Sequence, residues 1–457
     1  MPERIGELFE RDTIVALATA PGRGAIATVR ISGPDAFELA RKHVDPWPAD
    51  ARVASLCGIH DNGHALDQAL VTLFPSPGSF TGENVVELST HGGHAVPLSV
   101  VAALIRSGAR QALPGEFTRR AILNGKLDLI QAEAIGELVN ARSSAMQRAA
   151  LTQLHGGLTD RLTRLRENLI GLEALIAYEI DFPEEDDGPI SEEEISAAAE
   201  SIRVSLEELA STSSFGELIR EGAVVVIAGP PNSGKSSLFN ALIGRARAIV
   251  TEVPGTTRDA LEAVIEYRDW PLRLVDTAGL RDTTDRIERL GIEVSERYLS
   301  SADVVLVCAE SDEALSRARD GIAGLTSAPV LLVRTKADLA KATASGSAGI
   351  EQAVSVSAEK RTGLEALLGR ITEILRKSYG DHSTDAPILT TSRQAAAVES
   401  ALEELDSFLS ARKEQSVPAT IAAVHIRAAA GALEELIGSV DVEDVLTKIF
   451  STFCIGK

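Results

Sequence analysis

Ala223-Val224-Val225-Val226-Ile227-Ala228-Gly229-Pro230-Pro231-Asn232-Ser233-Gly234-Lys235-Ser236-Ser237-Leu238-Phe239-Asn240 decides how the chain is read. A strand-like apolar run leads into a loop fitting G-x-x-x-x-G-K-[ST], Gly229 to Ser236, and helix formers follow it. Small residues in such a loop let backbone N–H groups face an oligophosphate at the positive end of the next helix. Lys235 then reaches the outer phosphates, and the Ser236 hydroxyl suits Mg²⁺.

Working outward, four further motifs stand in the order of a guanine-nucleotide GTPase: Gly255-Thr256-Thr257-Arg258-Asp259, Asp276-Thr277-Ala278-Gly279, Thr335-Lys336-Ala337-Asp338 and Ser357-Ala358. Thr257 suits closing over Mg²⁺ and the γ-phosphate, and Asp276, at a strand end, suits holding the metal through water. Asp338 accepts from both the guanine ring N–H and the amino group, a pairing adenine does not offer. Ser357-Ala358 supply a backbone N–H to the base. Thr335 replaces the usual Asn, which leaves one supporting hydrogen bond in question. Glu359 replaces the lysine that often follows Ser-Ala.

Leu280 stands where small GTPases carry the glutamine that positions water, so another group must do that work. Asp282, Asp285, Glu288 and Glu293 are candidates, although each also reads as an ordinary solvated charge. Arg281, Arg286 and Arg289 are near, but none stands out as an arginine finger. Asn232 offers a neutral oxygen that suits K⁺; it also reads simply as a loop cap.

Around this unit, strands Val224–Ala228, Leu272–Val275, Val304–Val307, Val330–Val333 and Ala353–Val356 alternate with helices, giving a doubly wound α/β domain over 216–383. Before it, Leu158, Leu162, Leu165, Leu169, Leu172 and Ile176 form a heptad seam. The seam helix should stop before Asp181-Phe182-Pro183, and Ser191 with Glu194 fits a capping box. Helical periodicity returns through Leu402, Leu405 and Leu409. One helical domain, built from 125–215 and 384–457, is therefore expected to be interrupted by the α/β insertion. Arg161, Arg164 and Arg166, between the seam positions, read as a solvated face or as a local basic patch.

The first segment, 1–124, mixes strands, turns and helices. Pro21-Gly22-Arg23-Gly24 joins two extended runs as a hairpin candidate. Arg30 and Glu87 are polar residues inside strand-like runs; Arg30 reads as an edge-strand arginine or as an anion ligand. His91 and His94 fit a glycine-permitted turn better than a metal site.

The chain has 457 residues, 66 Asp and Glu against 45 Lys and Arg, and a formal charge of −21. That excludes a general nucleic-acid coat but not a local basic patch. Four Tyr and two Trp also argue against a stacking platform for single strands. Cys57, Cys308 and Cys454 are odd in number and far apart, so neither a disulfide framework nor a zinc cluster is expected. No apolar run approaches the roughly 20 residues of a membrane span, and Met1-Pro2-Glu3-Arg4 opens no signal peptide. A cytoplasmic protein without a membrane partner is expected.

The GTPase motifs, together with Val29-Arg30-Ile31-Ser32-Gly33, Phe80-Thr81-Gly82-Glu83, His91-Gly92-Gly93, Pro114-Gly115-Glu116-Phe117, Leu123-Asn124-Gly125-Lys126-Leu127-Asp128 and the Phe453-Cys454-Ile455-Gly456-Lys457 stretch, closely resemble the MnmE (TrmE) family of tRNA-modification GTPases. The likeness covers essentially the whole chain. It implies an α/β multidomain architecture: an α+β folate-binding N-terminal domain, a helical domain and an inserted Ras-like doubly wound P-loop G domain. It also implies a homodimer formed through the N-terminal domains. Family folate ligands fall on Arg30, Glu87, Lys126 and Lys457, for a 5-formyl or 5,10-methylene tetrahydrofolate. Family K⁺ ligands fall on Asn232, Thr256 and the backbone oxygens of Thr251 and Val253, with K⁺ replacing an arginine finger. Mg²⁺ falls to Ser236 and Thr257, GTP contacts extend to Ser237, Thr277, Ala278, Gly279 and Lys336, and the water-orienting carboxylate is Glu288, acting beside Lys235. Cys454 has a chemical role, whether as nucleophile, proton donor or positioning group. With an FAD-dependent MnmG-type partner, the family places a carboxymethylaminomethyl-type group on carbon 5 of the wobble uridine of certain tRNAs. The alternative is a GTPase assembly factor or checkpoint with no modification chemistry of its own.

Overall fold

The computed structural model describes residues 12–181, 191–245, 247–249, 261–276, 297–339, 353–380, 382–413, 419–438 and 456. By contact the chain parts into two compact units, Met1–Gly136 with Glu435–Lys457, and Glu137–Glu434.

The first unit is built on β1 (Ile14–Leu17), β2 (Ile26–Ser32), β3 (Val44–Asp45), β4 (Ser55–Asp61), β5 (His64–Phe74), β6 (Val85–His91) and β7 (Arg110–Gln111). They form one sheet in the order β3-β4-β5-β6-β2-β1-β7. The hairpin read around Pro21 to Gly24 is present: β1 and β2 are antiparallel, with Leu17 opposite Val29. Alternation sends Val29, Ile31, Val86 and Leu88 into a core shared with the helices Ala36–Arg41 and Ala95–Arg106. The opposite face carries Arg30 and Glu87, and there Phe117 packs on Ile14 and Ala16. β2 lies inside the sheet, so Arg30 is not an edge-strand residue.

The second unit contains a second seven-stranded sheet, from β8 (Ala223–Ala228), β9 (Arg247–Ile249), β10 (Leu261–Tyr267), β11 (Trp270–Asp276), β12 (Val304–Ala309), β13 (Val330–Arg334) and β14 (Val354–Ser355), in the order β14-β13-β12-β8-β11-β10-β9. The five strands expected from sequence are the parallel set. β8 is buried throughout and feeds both layers: Val225 and Ile227 enter one core, Val224, Val226 and Ala228 the other.

Helices from both sides of this sheet in the sequence pack together. All six seam residues of the helix Gly157–Asp181 are at most 4% exposed. The helix Glu192–Ala210 starts with the expected Ser191/Glu194 capping box and packs on both Gly157–Asp181 and Ser392–Lys413. Ion pairs Arg412–Glu192, Arg427–Glu173 and Arg166–Glu434 span the insertion. Arg161 likewise donates to the Ser205 carbonyl and faces Glu208. The solvated-face reading therefore fails for Arg161 and Arg166, which are half-buried in helix packing; only Arg164 is exposed.

The helix Ser144–Leu154 shares its core with the sheet through Ala145, Met146 and Ala149. Glu266, on β10, accepts the Ser144 backbone N–H at 2.6 Å and also its hydroxyl, a carboxylate at a helix N-terminus.

Candidate functional site

The phosphate loop leaves β8 where that strand lies between β11 and β12. Gly229 is needed there: its φ is +144°, and a Cβ would stand 2.2 Å from the Cys308 carbonyl. Asn232 adopts the left-handed region at φ +58°. The helix Lys235–Ile243 then begins, with Ser236 exposed in its first turn. Lys235 is 7% exposed, and its ammonium donates to the Gly229 and Pro230 carbonyls at 3.0 and 2.9 Å. Asp276 ends β11 fully buried, opposite Ile227 of β8. A buried carboxylate and a hydroxyl could hold magnesium, and an ammonium at a helix N-terminus could meet a polyphosphate. Burial pushes the neighbouring Cys308 thiol up to about 12, which leaves it inert.

The loop expected to read the base is tied directly to the phosphate loop. Thr335 donates its hydroxyl to the Ser233 carbonyl at 2.6 Å, which ties the two loops together at the position where the usual Asn is replaced. Lys336 donates to the Asn232 carbonyl at 3.1 Å and pairs with Glu310 at 2.5 Å. Asp338 accepts the Ser357 hydroxyl at 2.6 Å, and that bond holds its carboxyl below the usual range. The Ser357 N–H is committed to the Thr362 carbonyl at 3.0 Å. Of the two residues read as base donors, Ser357 therefore has its N–H already engaged.

In the N-terminal unit, the two polar anomalies meet. Arg30 and Glu87 are cross-strand partners, and Arg30 Nε and Nη2 reach Glu87 Oε1 at 2.9 and 2.7 Å. The guanidinium lies 5.6 Å from the ring centroids of both Phe80 and Phe117. Lys126 joins the same neighbourhood through the loop after Phe80: a Cβ on Gly82 would meet the Lys126 side chain at 3.3 Å. The Lys126 ammonium donates to the Pro77 carbonyl at 3.2 Å.

Sequence reading missed the network that holds these parts. Arg120 reaches Asp12, Glu83 and Glu116, Arg110 reaches Asp12 and Glu116, and Glu83 accepts the Ser32 hydroxyl at 2.6 Å. Its one visible signal was the quoted motifs themselves, since Glu83 and Glu116 directly flank the Phe80 and Phe117 stretches. Glu288, Cys454, Lys457, Thr251, Val253, Thr256, Thr257, Thr277, Ala278 and Gly279 lie outside the described residues.

The parallel sheet, the phosphate loop and the Asp338–Ser357 pair define a guanine-nucleotide-binding P-loop protein, a GTP hydrolase, carried on helices that precede and follow it in sequence. Family models match on both sides: the GTP-binding protein TrmE N-terminus over residues 13–126, and the MnmE helical domain over 129–454. The tRNA modification GTPase MnmE of Aquifex aeolicus (strain VF5) is 39% identical over 453 residues, covering 98% of this chain and 100% of that protein. Its namesake from Heliobacterium modesticaldum (strain ATCC 51547 / Ice1) is 40% identical over 468 residues, with 98% and 99% covered. The one from Acinetobacter baumannii (strain AYE) is 37% identical over 463 residues, with 99% and 100% covered. The chain belongs to the MnmE family of tRNA modification GTPases.

Proposed function

We propose that this chain is a K⁺-stimulated GTP hydrolase that acts on tRNA. With an FAD-dependent MnmG-type partner, it uses a one-carbon unit of tetrahydrofolate to add a carboxymethylaminomethyl-type group at carbon 5 of the wobble uridine. The observation that carries the folate half of this reading is the Arg30–Glu87 pair beside Phe80 and Phe117. A carboxylate fixed by a guanidinium offers its oxygens to the amide and amino donors of a pterin, and aromatic rings border the same place. Lys126, and Lys457 beyond the described residues, would balance the glutamate tail. When bound, the folate supplies the one-carbon unit; the chain's own residues orient it.

For hydrolysis, Lys235 and Ser236 would meet the phosphates and Mg²⁺ with Thr257 and Asp276, and Asp338 would select guanine. Asn232, Thr256 and the Thr251 and Val253 carbonyls would hold K⁺, whose charge would stand in for an arginine finger. Glu288 would orient the attacking water. The functional divisions would be 1–124, 125–215 with 384–457, and 216–383, in a cytoplasmic homodimer.

Titration calorimetry with 5-formyltetrahydrofolate tests the folate half. Micromolar binding lost in Glu87→Ala, with guanine-nucleotide binding intact, is expected; no heat from the unaltered chain refutes it. GTP turnover should be much faster in KCl than in NaCl at equal ionic strength, and equal rates would refute the cation. Nucleoside mass spectrometry of tRNA from a deletion strain, with and without complementation, tests the product.

A further inference from the structure

Three arginines converge on one cavity of about 500 Å³ in the second unit. Arg245 follows the helix Lys235–Ile243, Arg268 sits in the β10–β11 turn, and Arg361 precedes the helix Leu364–Tyr379. All three are exposed. Arg268 lies over the Tyr267 ring, 5.2 Å from its centroid. Two carboxylates share the wall, and both are engaged. Glu266 is held by Ser144, and Glu365 accepts the Tyr267 hydroxyl at 2.7 Å and lies 3.4 Å from Arg245. Neither Arg268 nor Arg361 forms an ion pair with a described residue.

In a chain of net charge −21, a polyanion needs a local exception to the prevailing field. The arginines Arg161 and Arg166 do not provide one, because Glu208 and Glu434 face them. The cavity does: three planar guanidinium forks stand against two carboxylates, an excess of one positive charge, and each fork matches a pair of phosphate oxygens. Tyr267 already carries Arg268 on its ring and Leu368 is the only aliphatic side chain among the described residues lining the cavity, so the chemistry suits backbone phosphates rather than bases. Its position adds a connection to the nucleotide. The turn carrying Arg268 opens β11, whose other end is Asp276, about 20 Å away at the usual rise per strand residue.

We propose that this cleft binds the phosphate backbone of RNA, namely the tRNA of the functional reading above, on which the inference rests. The test is the affinity of the full-length chain for bulk tRNA, measured by filter binding across a KCl series. Arg268 and Arg361 have φ of 48° and 53°, so asparagine is the neutral replacement that tolerates their backbone. The triple variant Arg245→Gln, Arg268→Asn, Arg361→Asn should bind tRNA at least ~10-fold more weakly near physiological salt, and its log K against log[salt] slope should be shallower by about 2. Glu365→Gln removes one competing carboxylate and should tighten binding about 2-fold, a gain that a misfolded protein cannot give. Guanine-nucleotide affinity serves as the folding check. Unchanged affinity and slope in the triple variant overturn the inference alone. Absence of tRNA binding by the unaltered chain overturns both the inference and the tRNA reading.

Discussion

The Thr335 hydroxyl donates to the Ser233 backbone carbonyl at 2.6 Å, and both residues are buried. This bond joins the loop proposed to read the base to the loop proposed to cradle the phosphates, so each would preorganise the other. Thr335→Val keeps the shape and removes the donor, which leaves a buried carbonyl unsatisfied at a cost of about 1–3 kcal/mol. If the cost falls on the nucleotide-competent arrangement, GDP affinity drops by roughly 5- to 150-fold. Thr335→Ser should retain most of it. Fluorescent-GDP titration of the three proteins decides; valine binding like threonine would mean the loops hold their places without this bond.

Asp338 is proposed to select guanine by accepting from two donors. Asp338→Asn replaces one acceptor with a donor, so GTP affinity should fall by at least ~100-fold while xanthosine triphosphate gains. The Ser357 hydroxyl sets the pH range of this recognition. It lowers the Asp338 pKa, so the carboxylate survives to lower pH than an ordinary aspartate. In Ser357→Ala the pKa returns upward, and GDP affinity should begin to fall at a higher pH than in the unaltered chain. Identical pH profiles would exclude the hydroxyl from that role.

Most of the second sheet was legible because β8, β12 and β13 are short, nearly continuous apolar runs rich in valine, which a sheet covered on both faces can bury. β9 and β10 were not. The β10–β11 turn, Arg268-Asp269, puts two non-glycine residues at φ 48° and 67°, so the usual Asn-Gly signature of such a hairpin is absent. Arg30 and Glu87 were each legible as polar residues within strand-like runs. Their pairing was not, because it depends on the register of strands 57 residues apart. The Asp12–Arg120 contact joins residues 108 apart and leaves no local pattern at all.

That buried network makes a pH-dependent contribution with a definite sign. Burial pushes Glu116 up, but the Arg110 hydrogen bonds, the Leu113 N–H and the arginine charges outweigh it, and the carboxyl sits below its usual range. Burial likewise opposes, and Arg110 and Arg120 outweigh it, at Asp12. The stabilisation is therefore complete above ordinary carboxylate pKa values, about 4, and is lost as pH falls through the lowered ones. Arg120→Met removes the arginine that Glu83 pairs with, while Arg110 still pairs with Asp12 and Glu116, and should cost about 1.5–3 kcal/mol at pH 7. Trp47, partly buried on the first core, reports this unit alone in a Trp270→Phe background. Urea midpoints of the variant and its parent should differ most near pH 7 and converge toward pH 3. A difference that does not narrow with acid would assign the loss to packing.

Gly456 lies against the N-terminal sheet. Its φ is +101°, and a Cβ there would lie 2.3 Å from the Leu17 carbonyl and 2.8 Å from the Ala18 Cα. Leu17 ends β1 one residue beyond Ala16, which is the cross-strand partner of Arg30. The close approach therefore occurs next to the row that holds the Arg30–Glu87 pair, where the folate ligands are proposed. Gly456→Ala combines a left-handed backbone penalty of about 1 kcal/mol with a backbone clash that only displacement of the segment relieves. The expected result is loss of tRNA modification in a complementation assay and weaker binding of 5-formyltetrahydrofolate. Guanine-nucleotide affinity should be unchanged, because the nucleotide loops belong to the other compact unit. Gly456→Ala with full folate affinity and full modification would mean that this contact is not required for the chemistry. Equal loss of nucleotide binding would mean that the substitution acts on the whole fold.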